Sequence, residues 1–497
     1  MKINKYISIV LLAVLFVSCS DDFLVKAPMD SVNTANFWQT ESDAVAAING
    51  AYQPLQSYRL YNLRLWTSDI FAGNSIVGAA GGSDGIETQN MANFVTATDN
   101  QGVLDMWRGP WPGILRCNLV LMNVPGMDID ENIKNRILGE AYFLRAHYYF
   151  ILVRYFGDVP LITKPQEPND NLLVSRVPKA EVYTQIISDF EKAIDLLPSA
   201  NEYSDTDIGR ASKGSAEGML AKVYLTLSSL GQGDYWNRVV DLCNSVQNLG
   251  HSLNADYADA FDPIIENTAE SLFEVQYSGS TAYDFGSYEN QASYVSTFTG
   301  PRGANMVAGG YGWNQPTSEF VNAYEDGDLR KDVTILYDGC LPFNGVEYSS
   351  SYSISGFNLR KFLVPKSIAS SYNNNPSNFR VLRYADVLLM KAEALNELGN
   401  SSMAENALNQ VRMRAGLGSV TGLSKDDFRE KVLHERRMEL AFEGQRWFDL
   451  IRINKGQYAI DFLQSIGKSN MNQKFLLLPI PQKEIDKNPN LSQNPGY

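Results

Sequence analysis

Histidine and cysteine are scarce in this chain, which has 3 His and 4 Cys among 497 residues. Zinc sites and disulfide frameworks are built from several such residues at short spacings. The few that are present lie far apart, so we expect no metal and no cofactor. The three cysteines beyond the first twenty residues are Cys117, Cys243 and Cys340. We expect three buried free thiols, with one disulfide as the alternative.

Basic residues are outnumbered as well, since 42 Lys and Arg face 56 Asp and Glu and give a net charge of -14 at pH 7. Nucleic-acid binders usually present a basic face, so that class of protein is excluded. Long apolar runs are missing after residue 20, because the best candidate, 141–153, is interrupted by Arg145 and His147. Hydrophobic residues still make up 44% of the chain, enough to bury a sizeable core.

The first nineteen residues have the pattern of an export signal. Two lysines precede an apolar run, 7–17, that is too short to cross a bilayer as a helix. The sequence Val17-Ser18-Cys19 then resembles a bacterial lipobox, in which the cysteine becomes the lipidated N-terminus of the mature chain. We predict a signal peptide over 1–18 and lipidation of Cys19, which would anchor the protein to a membrane without spanning it. An ordinary secretory peptide with an incidental cysteine is the alternative.

Helical periodicity dominates the readable parts of the chain. Val182, Ile186, Phe190 and Ile194 recur every four residues, for example, and predict one amphipathic helix. Such helices fall into pairs separated by short turns, and units of this kind resemble tetratricopeptide-type repeats. We therefore predict a mainly α fold with a scaffold of helical hairpins and few short strands. The predicted pairs are 133–156 with 178–197, 212–229 with 234–249, 380–398 with 401–415, and 424–443 with 444–455.

Two long insertions, 66–104 and 277–376, are rich in Gly, Ser and Asn. Between 277 and 313, aromatic residues are about twice as frequent as the chain average of 11%. Long ordered loops are more often functional than decorative. We predict a single body over 19–497, made of an N-terminal helical part (19–260), a loop-rich insertion (261–376) and a C-terminal helical part (377–497).

A pair of carboxylates near the C-terminus is a candidate catalytic pair. Glu439 and Glu443 are four residues apart on a predicted helix, and two carboxylates can serve glycoside hydrolysis. Charges of alternating sign surround them at three-residue spacing, however, which is typical of an exposed ladder of ion pairs worth about 0.2–0.5 kcal/mol each. We favour the ladder and expect no enzymatic activity. The other members of the ladder are Arg436, Arg446, Asp449 and Arg452.

Five groups of short motifs occur in order along the mature chain: 19–24; 139–149 with 155–160; 383–394; 435–452; and 478–481 with the tail 494–497. The third reads Arg-Tyr-Ala-Asp-Val-Leu-Leu-Met-Lys-Ala-Glu-Ala, and the fourth contains Gly-Gln-Arg-Trp-Phe-Asp. Together with the lipobox, they resemble the SusD/RagB outer-membrane lipoproteins of Bacteroidetes. The resemblance covers essentially the whole mature chain.

This resemblance implies a non-enzymatic glycan-binding lipoprotein on a tetratricopeptide-like scaffold. Family members act as lids over a TonB-dependent transporter of the SusC type and deliver oligosaccharides to it. The acidic residues directly after Cys19 resemble the surface-export signal of such lipoproteins, which implies a lipid anchor in the outer membrane and a position facing the cell exterior. The alternative is a structural or peptide-binding lid of the transporter complex without glycan affinity.

The residues that would hold a glycan follow from the chemistry of sugars. The apolar C–H face of a sugar ring packs on Trp or Tyr, and its hydroxyls bind planar polar groups. We expect these groups on exposed loops, with Trp313 as the main stacking platform; the alternative is that each aromatic residue anchors its own loop. The candidates are Trp313, Tyr311, Asn314, Arg302, Tyr283 and Tyr288 in the second insertion, and Asp69, Asn74 and Gln89 in the first.

Overall fold

The computed structural model describes residues 37–167, 169–279, 285–287 and 290–497. Helices joined by long loops make up most of this part of the chain, and its strands are short and paired two by two. The predicted mainly α fold class is confirmed. Within the described ranges, no helix combines the length and the apolar character needed to cross a membrane.

The helices are numbered here in chain order. They are α1 (Glu41–Tyr52), α2 (Ser68–Phe71), α3 (Ile86–Ala92), α4 (Gln101–Arg108), α5 (Trp111–Asn123), α6 (Glu131–Phe156), α7 (Lys179–Leu196), α8 (Lys213–Ser229), α9 (Trp236–Asn248), α10 (Val295–Thr299), α11 (Ser318–Asn322), α12 (Arg330–Thr334), α13 (Tyr384–Glu397), α14 (Ser401–Arg414), α15 (Lys425–Glu439), α16 (Arg446–Arg452), α17 (Gln457–Ser465) and α18 (Gln482–Lys487).

Three two-stranded ladders connect distant parts of the chain. All three are antiparallel. The first ladder ties the first insertion to the second, because Ser75 pairs with Pro316 and Ile76 with Gln315. The pairs are β1 (Ser75–Ile76) with β3 (Gln315–Pro316), β2 (Ser271–Val275) with β6 (Phe379–Arg383), and β4 (Ile335–Leu336) with β5 (Asn358–Leu359).

Helix α6 shows how local signals and packing define the scaffold. Asp130 caps its N-terminus, since its carboxylate accepts hydrogen bonds from the backbone N–H groups of Asn132 and Ile133 at 2.9 and 3.2 Å. The helix ends where Gly157 takes φ +70. Its apolar residues join those of α7 in one large core cluster that extends from Ala44 to Leu491. Burying each Leu- or Phe-sized side chain contributes about 1.5–3 kcal/mol.

The first two predicted helix pairs match α6 with α7 and α8 with α9 to within three residues at each end. The third prediction is wrong at its start, because 380–383 belongs to strand β6 and α13 begins only at Tyr384. Arg380 and Leu382 pair with Glu274 and Phe273, more than a hundred residues earlier, and a local period does not show such pairing. The fourth pair is also shorter than predicted: α15 ends at Glu439, and Phe442 (φ +65) and Gly444 (φ +74) turn the chain.

The predicted ladder of exposed ion pairs is wrong in one respect, because its charges are buried. Glu439 is 0% exposed and Glu443 is 5% exposed. Glu439 pairs with Arg383, and Glu443 pairs with both Arg383 and Lys361, at N–O distances of 2.7 to 2.9 Å. These partners come from other segments, so neither carboxylate is left free for hydrolysis. Buried as well are Arg436, Arg446, Asp449 and Arg452.

The cysteine prediction is confirmed for the described residues. Cys117, Cys243 and Cys340 are buried free thiols. Burial raises the pKa of Cys117 and of Cys243 well above the usual range of a thiol. These two side chains therefore behave as small apolar core residues rather than as reactive nucleophiles.

Candidate functional site

Asp69 and Asn74, two candidates from the first insertion, lie inside the protein. Both are 0% exposed. Asp69 accepts hydrogen bonds from Asn74 Nδ2 and from the backbone N–H of Gly444, each at 2.9 Å, and Asn74 Oδ1 accepts one from Arg437 Nε at 2.9 Å. Burial raises the pKa of Asp69 to about 6. The expectation of exposed ligand groups is wrong here, because these side chains tie the insertion to the C-terminal helices.

The second insertion is positioned by the end of α10. The carbonyls in the last turn of a helix have no partner within the helix. Here the chain returns at 310–313 and supplies donors from its backbone: Tyr311 N–H donates to Thr297 O at 2.9 Å, and Trp313 N–H donates to Phe298 O at 2.8 Å. The two aromatic side chains are therefore held beside α10.

Trp313 is only 4% exposed, so the expectation that its ring is an open platform is wrong. It packs edge-to-face on Phe298, with ring centroids 5.7 Å apart. On another side it meets the backbone at Gly85, where an added methyl group would lie 2.5 Å from the indole. Asn314 is buried too, at φ +58, and its Oδ1 accepts a hydrogen bond from Ser75 Oγ. These two residues therefore anchor their loop.

Tyr311 and Tyr372 are the most exposed aromatic side chains in the described ranges, at 39% and 42%. They are 61 positions apart in the sequence but belong to one group of rings. We name this group the aromatic surface. It consists of Tyr58, Phe285, Tyr294, Phe298, Tyr311 and Tyr372.

Phe298 is the centre of the aromatic surface. Its ring centroid lies 5.7 Å from that of Tyr311, 5.1 Å from Phe285 and 6.5 Å from Tyr294. Tyr294 in turn lies 6.2 Å from Tyr372. The contacts of Phe298 with Tyr311 and Phe285 are edge-to-face, and such pairs add about 0.5–1.5 kcal/mol beyond area burial. The exposed tyrosines therefore lie on a packed base.

Polar groups lie beside the aromatic surface. Arg302 is exposed, and a methyl group placed on Gly312 would lie 3.6 Å from its Cβ. Asp84, also exposed, accepts a hydrogen bond from the indole N–H of Trp313 at 3.3 Å. Gln89 supports this loop by donating from Nε2 to the Asp84 carbonyl at 2.6 Å. One cation and one carboxylate thus lie beside the aromatic surface.

The structure brings together three of the predicted residues, Tyr311, Trp313 and Arg302. Tyr283 and Tyr288, like the lipidation candidate Cys19, lie outside the described residues. Sequence reasoning missed Phe298, although it falls in the aromatic-rich stretch. It also missed Tyr372, whose only signal is the loop composition of 370–375.

This arrangement suits an extended ligand with flat apolar faces and hydroxyl edges. A ring stacked on Tyr311 or Tyr372 would lie on a preformed surface, because the rings beneath are already packed. Nothing in the described part of the chain groups three or more His, Cys, Asp or Glu side chains in a way that would hold a metal ion.

Comparisons with known proteins match this chain over its whole length. Residues 269–497 match the family model described as SusD family, and residues 22–225 match the model described as "Starch-binding associating with outer membrane". The chain is 31% identical to SusD-like protein P2 of Formosa agariphila, over 100% of both chains.

Solved structures agree with this relationship. The fold is similar to that of a laminarin-binding SusD-like protein, with a TM-score of 0.81, 29% identity, and coverage of 92% of this chain and 100% of that one. It is also similar to surface glycan-binding protein A from Bacteroides uniformis, with a TM-score of 0.78, 26% identity, and coverage of 92% and 99%. The chain therefore belongs to the SusD-like family, whose members are non-enzymatic glycan-binding proteins, as the sequence resemblance implied.

Proposed function

We propose that this protein captures oligosaccharides on the aromatic surface and delivers them to a SusC-type TonB-dependent transporter. The observation that carries the proposal is the position of Tyr311 and Tyr372, which are the most exposed aromatic side chains of the described chain and share one packed group of rings. Four of the six rings come from the part of the insertion that follows residue 293, and the rest from Tyr58 and Phe285.

A neutral glycan fits this surface better than a highly charged one. The charges beside the surface are of opposite sign, because one is the cation Arg302 and the other is the carboxylate Asp84. Neither sign of charge is concentrated there to recognise sulfates or uronates. A solved relative at 29% identity is named for binding laminarin, a neutral polysaccharide, which makes laminarin the first ligand to test.

Calorimetric titration with laminarin and its oligosaccharides tests the glycan site. We expect the double variant Tyr311→Ala/Tyr372→Ala to lose at least about 1 kcal/mol of binding free energy, on the scale of stacked aromatic contacts. Tyr311→Phe is the matched control, because it keeps the ring and should keep most of the affinity. Equal binding by the double variant and the native protein would overturn this site.

A screen of further neutral glycans separates a wrong ligand from a wrong function. If a different glycan binds and the double variant binds it more weakly, the assignment of the aromatic surface holds and only the identity of the ligand changes. If no glycan binds while a porin-like outer-membrane protein still co-purifies, the protein is a structural or peptide-binding lid instead.

The membrane anchor is tested separately. We propose that Cys19 carries the lipid and that the folded body faces the cell exterior. Cys19→Ser should abolish incorporation of radiolabelled palmitate and release the protein from the outer membrane. Proteolysis of intact cells should remove the native protein from the surface. Palmitate labelling of the serine variant would contradict the anchor assignment.

A further inference from the structure

A second concave site lies away from the aromatic surface, where the C-terminal end of α6 meets α16 and the segment 473–477. It is a cavity of about 290 Å³, close to ten water volumes. None of the six rings of the aromatic surface lines it. Its size matches the lower end of small-molecule sites.

Arg154 is one of the charged residues that line this cavity. Its guanidinium carbon lies 4.0 Å from the ring centre of Phe150 and 3.7 Å from that of Phe448, so the cation is sandwiched between two aromatic faces. Its Nε donates to the carbonyl of Phe150 at 3.2 Å. Among the described residues, no carboxylate lies within ion-pair distance of this guanidinium. Burial lowers the pKa of Arg154, which a bound anion would reverse.

Arg154 contrasts with Arg452, which also lines the cavity. Arg452 Nη2 pairs with Glu393 at 2.7 Å and with Asp449 at 3.0 Å, so its charge is already compensated. Most buried arginines of the described residues have carboxylate partners, as with Arg383 and its two glutamates, and Arg446 is the exception. A buried or half-buried cation is costly without an anion, and this makes Arg154 an unfilled binding group.

Further positive charge surrounds the cavity. Lys179, Lys455 and Lys474 line it, and no Asp or Glu of the described chain does. The Lys474 ammonium lies 4.3 Å from the ring centre of Tyr497. Lys455 is presented by backbone in the left-handed region at φ +55, which is uncommon for a non-glycine residue. All the charged residues that line this cavity are therefore cationic, in a chain with a net charge of -14.

Much of the remaining lining is apolar, although Thr226, Gln473 and Asn494 also contribute to it. Val153, Leu230, Phe448, Ile451 and Leu477 line the cavity beside the cations. An inorganic anion would satisfy the charges but leave these walls in contact with water. A ligand that combines an anionic end with an apolar body fits both parts of the lining.

We propose that this cavity binds a small organic carboxylate with an apolar body, whose carboxylate pairs with Arg154 and whose body lies against Phe448, Ile451 and Leu477. The guanidinium plane is held fixed by its two rings, so it can offer two parallel N–H groups to the carboxylate. The three lysines that line the cavity, Lys179, Lys455 and Lys474, contribute positive potential rather than a fixed contact.

Calorimetry with 3-phenylpropionate and its uncharged amide tests this proposal on the full mature chain. We expect the carboxylate to bind at least about tenfold more tightly than the amide, on the scale of a charged hydrogen bond, and also more tightly than inorganic phosphate. Equal affinity for acid and amide, equal affinity for phosphate, or no binding of the acid would each overturn the proposal.

Variants locate the site. Arg154→Gln should weaken the binding of 3-phenylpropionate by about tenfold or more. The control is Arg238→Gln, at an arginine outside the cavity that lies 6.0 Å from the ring of Tyr224, and it should leave the affinity unchanged. If Arg154→Gln fails to fold, Lys455→Gln/Lys474→Gln replaces it, with weaker binding expected. Unchanged affinity in a folded cavity variant, or an equal loss in Arg238→Gln, would overturn the assignment.

Discussion

Arg383 donates two parallel hydrogen bonds to Glu443, from Nε to Oε2 at 2.9 Å and from Nη2 to Oε1 at 2.7 Å. Both side chains are buried. Arg383 ends strand β6, whereas Glu443 lies in the turn between α15 and α16. This pair therefore links the C-terminal helices to the ladder of β2 and β6, the only one in the described chain with five-residue strands. Loss of either charge would leave its partner buried and less compensated.

We predict that Glu443→Gln lowers the free energy of unfolding by about 3–5 kcal/mol, because Arg383 and Lys361 would both lose a buried anionic partner. Denaturant unfolding followed by circular dichroism measures this. Glu347→Gln is the matched control, since that carboxylate is exposed, and it should change stability by less than about 0.5 kcal/mol. Comparable losses in the two variants would show that the buried pair is not special.

The contact between Asp69 and Gly444 gives a second prediction. In Asp69→Asn one carboxylate oxygen becomes an amide donor, which must face either the Gly444 N–H or the amide of Asn74. We expect a loss of about 1–3 kcal/mol in unfolding free energy, the cost of one buried unsatisfied donor. Thermal denaturation at pH 7 provides the measurement, and a variant as stable as the native protein would mean that this hydrogen bond is dispensable.

His147 supplies a prediction about pH. Burial, with lesser effects from Arg154 and Lys222, lowers its pKa to about 3, and its Nε2 lies 2.9 Å from the hydroxyl of Tyr61. An unfolded histidine titrates near 6.5, so between these values the unfolded state binds more protons. The contribution of His147 to stability is thus complete above about pH 6.5 and is lost as the pH falls toward 3.

Proton NMR of the imidazole groups checks this directly. The ring signals of His147 should stay at their neutral positions from pH 8 to about pH 5, well above its lowered pKa. A titration midpoint near 6.5 would contradict a buried neutral ring.

Two glycines test how the aromatic surface is held in place. Gly310 has φ +87, and an added Cβ would lie 2.9 Å from the carbonyl oxygen of Pro301, whereas Gly303 has φ +78 and open space around it. Both alanine variants carry the cost of a left-handed backbone, about 1 kcal/mol. We expect Gly310→Ala alone to displace Tyr311 and weaken glycan binding. Similar affinity in both variants would show that the close approach to Pro301 does not position the ring.

The helical scaffold was largely predictable because its signals are local. A period near 3.6 gave α6, α7, α8 and α9 to within three residues. The same reasoning failed at 380–383, where pairing with Ser271–Val275 overrides local preference. It failed again for the charges around Glu439, whose spacing predicts ion pairs but not whether they face water or the interior.

The candidate site was only partly predictable. The aromatic-rich stretch pointed to Tyr311, and the exposure of that side chain fits the prediction. Trp313 was the main candidate from the sequence but is buried, because the loop around Gly85 closes over its ring. Tyr372 joins the same surface across 61 residues, through contacts that no spacing rule describes.

Sequence alone determined the family resemblance, the mainly α class and the absence of a nucleic-acid-binding composition, since each depends on residue identity or on a short period along the chain. Tertiary structure alone decided which aromatic rings are exposed, which charges are buried and that Arg154 has no carboxylate partner among the described residues. The physical reason is that burial and ion pairing depend on what packs against a side chain, and for Tyr311, Glu443 and Arg154 that is set by segments distant in sequence.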